Sequence, residues 1–297
     1  MKSTNKIKSP LRYPGGKSRA VKEIWKYIEP LEPKTLCSPF FGGGSLEIFC
    51  AQQEIKVKGY DKFRPLVDFW QELLKNPQKL AEEVKKHRPG EFTENDYKKL
   101  QNKHLKRNHL KNKDRLESAT EFYVLNRTSY SGNPLAVGMD RWKFKDGSPD
   151  INPRFTDSSV ERVKNFKIKK NFLSVKHMDF KKSIKKDESD LMYLDPPYMI
   201  KSKIYDTKDK EGNLENFDHE GLAKILKKDK KKKWILSYNN IDVIKELYDG
   251  HKIIDENLKE WSYGMSKDKK SREMLIFSKN IKINLDENDE LEEIFYI

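Results

Sequence analysis

Residues 191–199, LMYLDPPYM, hold the chemistry most clearly legible in this chain. Leu191, Met192, Tyr193 and Leu194 form a short apolar run that reads as a buried parallel strand. Asp195 follows where that strand must stop. Pro196 and Pro197 lack the N–H that a central strand needs, and their fixed φ stiffens the chain just beyond it. The expected product is a rigid ledge bearing a carboxylate, the Pro196 carbonyl and the Tyr198 ring. Open α/β sheets bind ligands at this strand edge. Two acceptors there can hold an exocyclic amine while the ring stacks on a flat base. A planar amine is a poor nucleophile, because its lone pair is delocalised into its ring. Acceptors beneath it favour a more tetrahedral nitrogen, able to attack an electrophile. The plainer reading is an ordinary strand-to-loop turn.

A second constellation lies near the N-terminus. A short strand over residues 34–37 feeds the loop Ser38-Pro39-Phe40-Phe41-Gly42-Gly43-Gly44-Ser45, followed by a helix over 46–53. The glycines allow a tight turn and close approach to a ligand just before a helix N-terminus. Glu47 stands where a full dinucleotide fingerprint would have its third glycine. A strand over 55–61 then ends in Asp61, about 20 residues past the glycines in the manner of an acid that binds a ribose. This pattern suggests a nucleoside-containing cofactor; a helix N-cap is the bland role for Asp61. Gly15-Gly16-Lys17-Ser18 is not a Walker loop, since no glycine stands four residues upstream and no apolar strand precedes it.

These motifs must be held by a larger frame. A helix is expected over 20–28, with Val21, Ile24, Trp25 and Ile28 on one face and Pro30 and Pro33 ending it. From about residue 64 to 171 the character changes: 69–125 reads as polar and mostly helical, 126–134 as a turn-rich tip, 138–157 as irregular and 158–165 as a short capped helix. Strand-like runs return at 172–175, 191–194, 234–237, 251–254 and 274–278, with helices between them at 221–228 and 243–248. Strands alternating with helices argue for an α/β fold on a mainly parallel sheet.

The 61 Lys and Arg residues outnumber the 47 Asp and Glu, giving a net charge of +14. That balance favours an anionic partner such as nucleic acid over a merely solvated surface. Between Lys98 and Arg115 eight cations (Lys98, Lys99, Lys103, Lys106, Arg107, Lys111, Lys113 and Arg115) face only Asp114. Two cysteines, Cys37 and Cys50, make no disulfide framework, and a cytoplasmic setting is expected. No secretory signal is visible, and no run approaches the roughly 18 apolar residues of a membrane span.

In order along the chain, four segments resemble the Dam-like (D12 class, alpha group) DNA adenine-N6 methyltransferases. They are Arg12-Tyr13-Pro14-Gly15-Gly16-Lys17, Pro39-Phe40-Phe41-Gly42-Gly43-Gly44-Ser45, Leu125-Asn126-Arg127-Thr128-Ser129-Tyr130-Ser131-Gly132 and Asp195-Pro196-Pro197-Tyr198. The resemblance implies a Rossmann-like class I methyltransferase domain over 1–67 and 172–297, with a mainly helical target-recognition domain inserted at 68–171. It implies S-adenosylmethionine as cofactor, contacted by Tyr13, Lys17, Asp61 and Asp195. Phe40, Gly42 and Gly44 would line the methionine moiety, and Asp179-Phe180 would lie near the cofactor's adenine. Ser237-Tyr238-Asn239 resembles a later motif beside the catalytic pocket. Catalysis would fall to Asp195, Pro196, Pro197 and Tyr198, with no metal. Double-stranded DNA would be the partner, with Arg127, Ser129, Tyr130 and Asn133 at the DNA side and Tyr130 as a wedge in the base stack. A cognate restriction endonuclease is an optional companion. Residues 133–151 do not reproduce the Dam hairpin, so GATC specificity is not implied. RNA adenine, cytosine N4 or protein glutamine as the methyl acceptor, and a non-catalytic nucleic-acid-binding module, are the competing readings.

Overall fold

The computed structural model describes residues 7–13, 15–106, 114–133, 139, 152–169, 171–199, 207–208, 214–215, 217–255 and 273–282. Pro14, Pro134, Arg107, Lys111, Lys113 and residues 138 and 140–151 of the stretch read as irregular lie outside these.

The N-terminal third follows the sequence reading within one residue. Helix α1 (Val21–Ile28) buries Ile24 and Ile28 and gives way to a 3-10 turn, Glu29–Leu31, that contains Pro30. Strand β1 (Thr35–Ser38), helix α2 (Ser45–Gln52) and strand β2 (Lys56–Asp61) then form the strand–glycine turn–helix–strand unit. Helices α3 (Arg64–Lys75), α4 (Pro77–Lys85), α5 (Glu94–Lys106) and α6 (Arg115–Thr128) make up the polar middle block. Helix α7 (Asp157–Lys164) closes it behind a capping box built by Thr156 and Ser159.

The expected boundary between residues 67 and 68 falls inside α3. Leu66 and Val67 on one side of it and Phe69 and Trp70 on the other are all buried, in the core that also holds Leu36 and Val57. Helix α3 thus packs against the sheet and the helical block together.

The second half supplies β3 (Leu173–His177), α8 (Phe180–Lys186) and β4 (Leu191–Leu194). A two-stranded ribbon, β5 (Thr207–Lys208) with β6 (Leu214–Glu215), precedes α9 (His219–Lys228). Strand β7 (Trp234–Asn239), helix α10 (Asp242–Leu247), β8 (Lys252–Ile254) and β9 (Glu273–Phe277) follow.

One seven-stranded sheet gathers these strands in the order β3-β2-β1-β4-β7-β9-β8. The pairs from β3 through to β7 are all parallel, while β9 runs antiparallel to both β7 and β8. Side chains alternate between two cores, as a strand's period of two requires. Leu36, Leu191, Tyr193 and Ile235 enter one cluster with α1, α2 and the middle helices; Cys37, Met192, Leu194 and Leu236 enter another with α8, α9 and α10. Helices therefore cover both faces of a largely parallel sheet, the architecture of a class I methyltransferase fold. Burial on both faces explains why β4 and β9 read as unbroken apolar runs.

The chain leaves β1 for β2 and β3 on one side and returns through β4 on the other. The strand order thus reverses between β1 and β4, and the C-terminal ends of those two strands border the ligand crevice of this fold type.

Candidate active site

The glycine turn leaves β1 directly into that crevice. Gly42 and Gly44 take positive φ, +48° and +64°. A Cβ on Gly43 would stand 2.7 Å from the Cβ of Tyr13, so this turn tolerates no side chain there without displacing Tyr13. The turn is anchored from β2. Asp61 accepts the Gly42 N–H at 3.0 Å and the Phe63 N–H at 2.9 Å. Trp70 of α3 donates its indole N–H to the Gly42 carbonyl at 3.1 Å. The residue capping α3 is Phe63, so the N-cap role does not fall to Asp61. Burial pushes the Asp61 carboxyl above its ordinary range, against the opposing effect of its two backbone donors. A carboxylate has about four acceptor sites, so two N–H groups leave capacity for a ligand hydroxyl.

Across the crevice, Asp195 follows the last residue of β4 and Lys17 meets it from the N-terminal segment. The Lys17 Nζ lies 2.7 Å and 2.9 Å from the two Asp195 carboxylate oxygens. It also donates to the Gly15 carbonyl at 3.1 Å and stands 4.8 Å from the centroid of the Tyr198 ring. A second carboxylate, Glu273 at the start of β9, lies 3.7 Å from the same nitrogen. Burial pulls the Lys17 pKa down, but Asp195 and then Glu273 outweigh it and hold the ammonium above its ordinary value. Burial raises the Asp195 carboxyl, with Lys17 and then Tyr198 acting against it.

The Tyr198 ring, 6% exposed, stacks on Tyr238 of β7 at 5.8 Å and 27°. Tyr238 in turn hydrogen-bonds His219 at the start of α9. Pro196 is buried and Pro197 half-buried, which fixes the ledge as its sequence implied. Beneath the glycine turn, Ser38 donates to Glu47 at 2.7 Å. Burial pushes the Glu47 carboxyl up to about 7, Ser38 opposing.

Phe40 and Phe180 lie 5.4 Å apart, and both approach Phe217, at 5.5 and 5.3 Å. This aromatic cluster flanks the glycine turn. Asp179 caps α8, accepting the Lys181 N–H at 2.8 Å. The fold therefore unites Tyr13, Lys17, Phe40, the glycines, Asp61 and the Asp195–Tyr198 ledge around one strand switch, with Asp179 and Phe180 at its aromatic side.

A model of the D12 class N6 adenine-specific DNA methyltransferases matches residues 13–262. The chain belongs to that family. It is an adenine-specific DNA methyltransferase. No curated protein matches it.

The residues expected on the DNA side of this methyltransferase divide into two groups. Tyr130 is 57% exposed, at a 3-10 turn just past α6. Arg127 and Ser129, by contrast, are buried. Arg127 donates through Nε and Nη2 to the Arg154 carbonyl, at 3.1 and 2.8 Å, and burial lowers its pKa to about 10. The Ser129 hydroxyl meets Tyr97 at 3.2 Å. Arg127 and Ser129 thus shape the tip from within, their polar groups turned to the protein's own partners. Asn133 is half-buried at the end of the turn. The basic stretch is also partly neutralised: Lys98 pairs with Glu94 at 2.9 Å, Lys103 with Glu117 at 2.6 Å and Arg115 approaches Glu72 at 3.7 Å.

Three residues carry more of the site than their sequence context announced. Glu47 attracted notice only as a missing glycine. Glu273 opens an apolar run, and its sole signal is an acid ahead of a doubly buried strand. Asn126 sits within the motif at 125–132, where its role could not be told from sequence. It accepts the Arg12 N–H at 3.0 Å and donates to the Arg12 and Gly132 carbonyls at 2.6 and 2.7 Å.

Proposed function

We propose that this methyltransferase moves a methyl group from S-adenosylmethionine to the N6 of an adenine turned out of double-stranded DNA, at specific sites. The observation that carries the reading is Asp195 at the end of β4, facing the glycine turn of β1 across the strand switch, in a member of an adenine-methylating family.

The residues present fit the cofactor. The left-handed glycines give a close backbone approach, with Phe40 beside them, to a methionine moiety, Asp61 offers acceptors to a ribose, and Phe180 offers flat apolar surface to an adenine. Tyr13 lies over the glycine turn and would close that side of the site. S-adenosylmethionine supplies an electrophilic methyl on a sulfonium. Everything else falls to the protein's own groups. Asp195 and the Pro196 carbonyl accept from the target amine and orient its lone pair. Tyr198 offers its ring to the base, and the ledge fixes both, so that positioning supplies much of the rate. Turning the base out of the duplex costs roughly a few kcal/mol, and Tyr130, exposed at its turn, would fill the gap in the stack.

The test is methyl-tritium transfer to DNA, RNA and protein substrates by the native enzyme and by Asp195→Ala. The expected outcome is label in DNA alone, lost by about a thousandfold or more in a folded Asp195→Ala, because the variant removes the main acceptor for the amine. Undiminished transfer by the variant, or preferential labelling of RNA or protein, contradicts the reading.

A further inference from the structure

Lys17 stands where the target amine must go. Its Nζ contacts both oxygens of Asp195, at 2.7 and 2.9 Å, and lies 4.8 Å from the centroid of the ring offered to the base. An ammonium has three donors and no acceptor. Here they are directed at Gly15, at Asp195 and toward Glu273. An incoming amine therefore competes with Lys17 for Asp195, and a stacking base competes with it for the Tyr198 ring. A lysine 5% exposed cannot simply withdraw into water, since an unpaired buried ammonium is strongly disfavoured. It needs a second carboxylate within reach.

Glu273 is that carboxylate. It is as buried as Lys17, its Oε2 lies 3.7 Å from Nζ, and pairing with Asn239 of β7 fixes its strand position beside the ledge. It lies outside residues 13–262, the part of the chain matched by the family model. We propose that Glu273 is a positioning residue that takes over the Lys17 ammonium when the target amine engages Asp195. The inference rests on the methyl-transfer reading above.

The exchange keeps the local charge constant. Asp195 and Glu273 together carry two negative charges against one on Lys17. As the N6 lone pair forms the N–C bond, the S–C bond breaks with its electron pair going to sulfur, and the positive charge passes to N6. That nitrogen then lies against Asp195 while Glu273 compensates Lys17. The excess proton on N6 leaves afterwards to Asp195 or to water. A net negative site favours charge developing there.

The test compares Glu273→Gln with the native enzyme in steady-state transfer to DNA across pH. Glutamine keeps the shape but cannot balance the ammonium, so Lys17 stays on Asp195. The expected result is a fall in kcat of roughly tenfold or more, with the affinity for S-adenosylhomocysteine held within about threefold. The acid limb of the pH profile should also move to lower pH. Asp195 is faced by Lys17 and Tyr198, with Glu47, Tyr193 and Tyr238 around it and Glu273 on the far side of Lys17. With Glu273 neutral, Lys17 commits fully to Asp195 and makes that carboxyl more acidic. Glu273→Asp, which keeps the charge, should recover part of the rate. On a Lys17→Met background the Glu273→Gln change should add less than about threefold, because its purpose is then gone.

Native kcat and pH profile in Glu273→Gln overturn the proposal, as do losses that multiply with those of Lys17→Met. Failure of Glu273→Gln to fold also overturns it, by placing Glu273 in the structure alone. An inactive Asp195→Ala beside a fully active Glu273→Gln removes this inference and leaves the parent reading standing; an active Asp195→Ala removes the parent reading itself.

Discussion

Asp195 and Tyr198 could be read from sequence because proline chemistry forces their arrangement: a strand that meets two prolines must stop, and the acid before them must sit at its end. The lysine that meets Asp195, and that lysine's second carboxylate, could not be read this way. Lys17 lies 178 residues away in sequence and Glu273 further along the chain in the opposite direction; only the sheet order brings them together. Glu47 shows the same limit. Its burial beneath the glycine turn depends on how α2 packs, which its spacing does not reveal. It carries a pH prediction. Below 4.5, its ordinary value, Glu47 is protonated in both folded and unfolded chains and has no effect on their balance. Between 4.5 and about 7 the unfolded chain releases the proton and the folded one retains it, so stability falls as pH rises. Above about 7 the burial penalty is present in full. Melting curves of Glu47→Gln and the native protein should therefore agree more closely near pH 4.5 and diverge toward pH 8, with the variant the more stable. A difference independent of pH would show that Glu47 does not titrate in this window.

The elements around the crevice were largely legible, since apolar periodicity and glycine and proline punctuation specify them locally. The tip was not. Residues 126–134 carry turn-forming side chains, yet α6 runs on through Thr128, because Asn126, Arg127 and Thr128 all spend their polar groups inside the protein. Thr128 bonds back to the Val124 carbonyl at 2.7 Å, and Asn126 clasps the Arg12 peptide on both sides. Gly132, at φ +81°, lies so close to Arg12 that a Cβ would stand 2.4 Å from its carbonyl oxygen. This clasp ties the tip to the segment carrying Tyr13 and Lys17 and, among the described residues of the tip, leaves Tyr130 exposed. Tyr130→Ala should thus lower DNA turnover by about tenfold or more while leaving S-adenosylhomocysteine affinity unchanged in calorimetry. Equal turnover in the variant would remove Tyr130 from the DNA face. Buried Arg127 predicts a different signature for its own replacement, a loss of stability in place of a smaller salt slope.

At the scale of the whole molecule, alternation of strands and helices announced an α/β fold, and the two buried faces of the sheet bear it out. The direction of β9 was hidden, since a strand buried on both faces reads the same whichever way it runs. That α3 runs through the expected boundary at residue 67 was hidden too, because the helix is apolar toward the sheet and toward α6 together. The net charge of +14 was plain, but ion pairs such as Lys103 with Glu117 and Glu121 withdraw part of it from any partner. The remaining cations should still make DNA affinity fall steeply with salt; a slope near zero would mean that phosphates are not being neutralised. The central claim, that Asp195 presents an adenine N6 to the methyl donor, is tested most directly at the product. Duplex DNA incubated with the enzyme and S-adenosylmethionine labelled in its methyl group is digested to nucleosides and resolved. All label should appear in N6-methyldeoxyadenosine with the native enzyme and none with Asp195→Ala. Label on cytosine, or equal label from the folded variant, would contradict it.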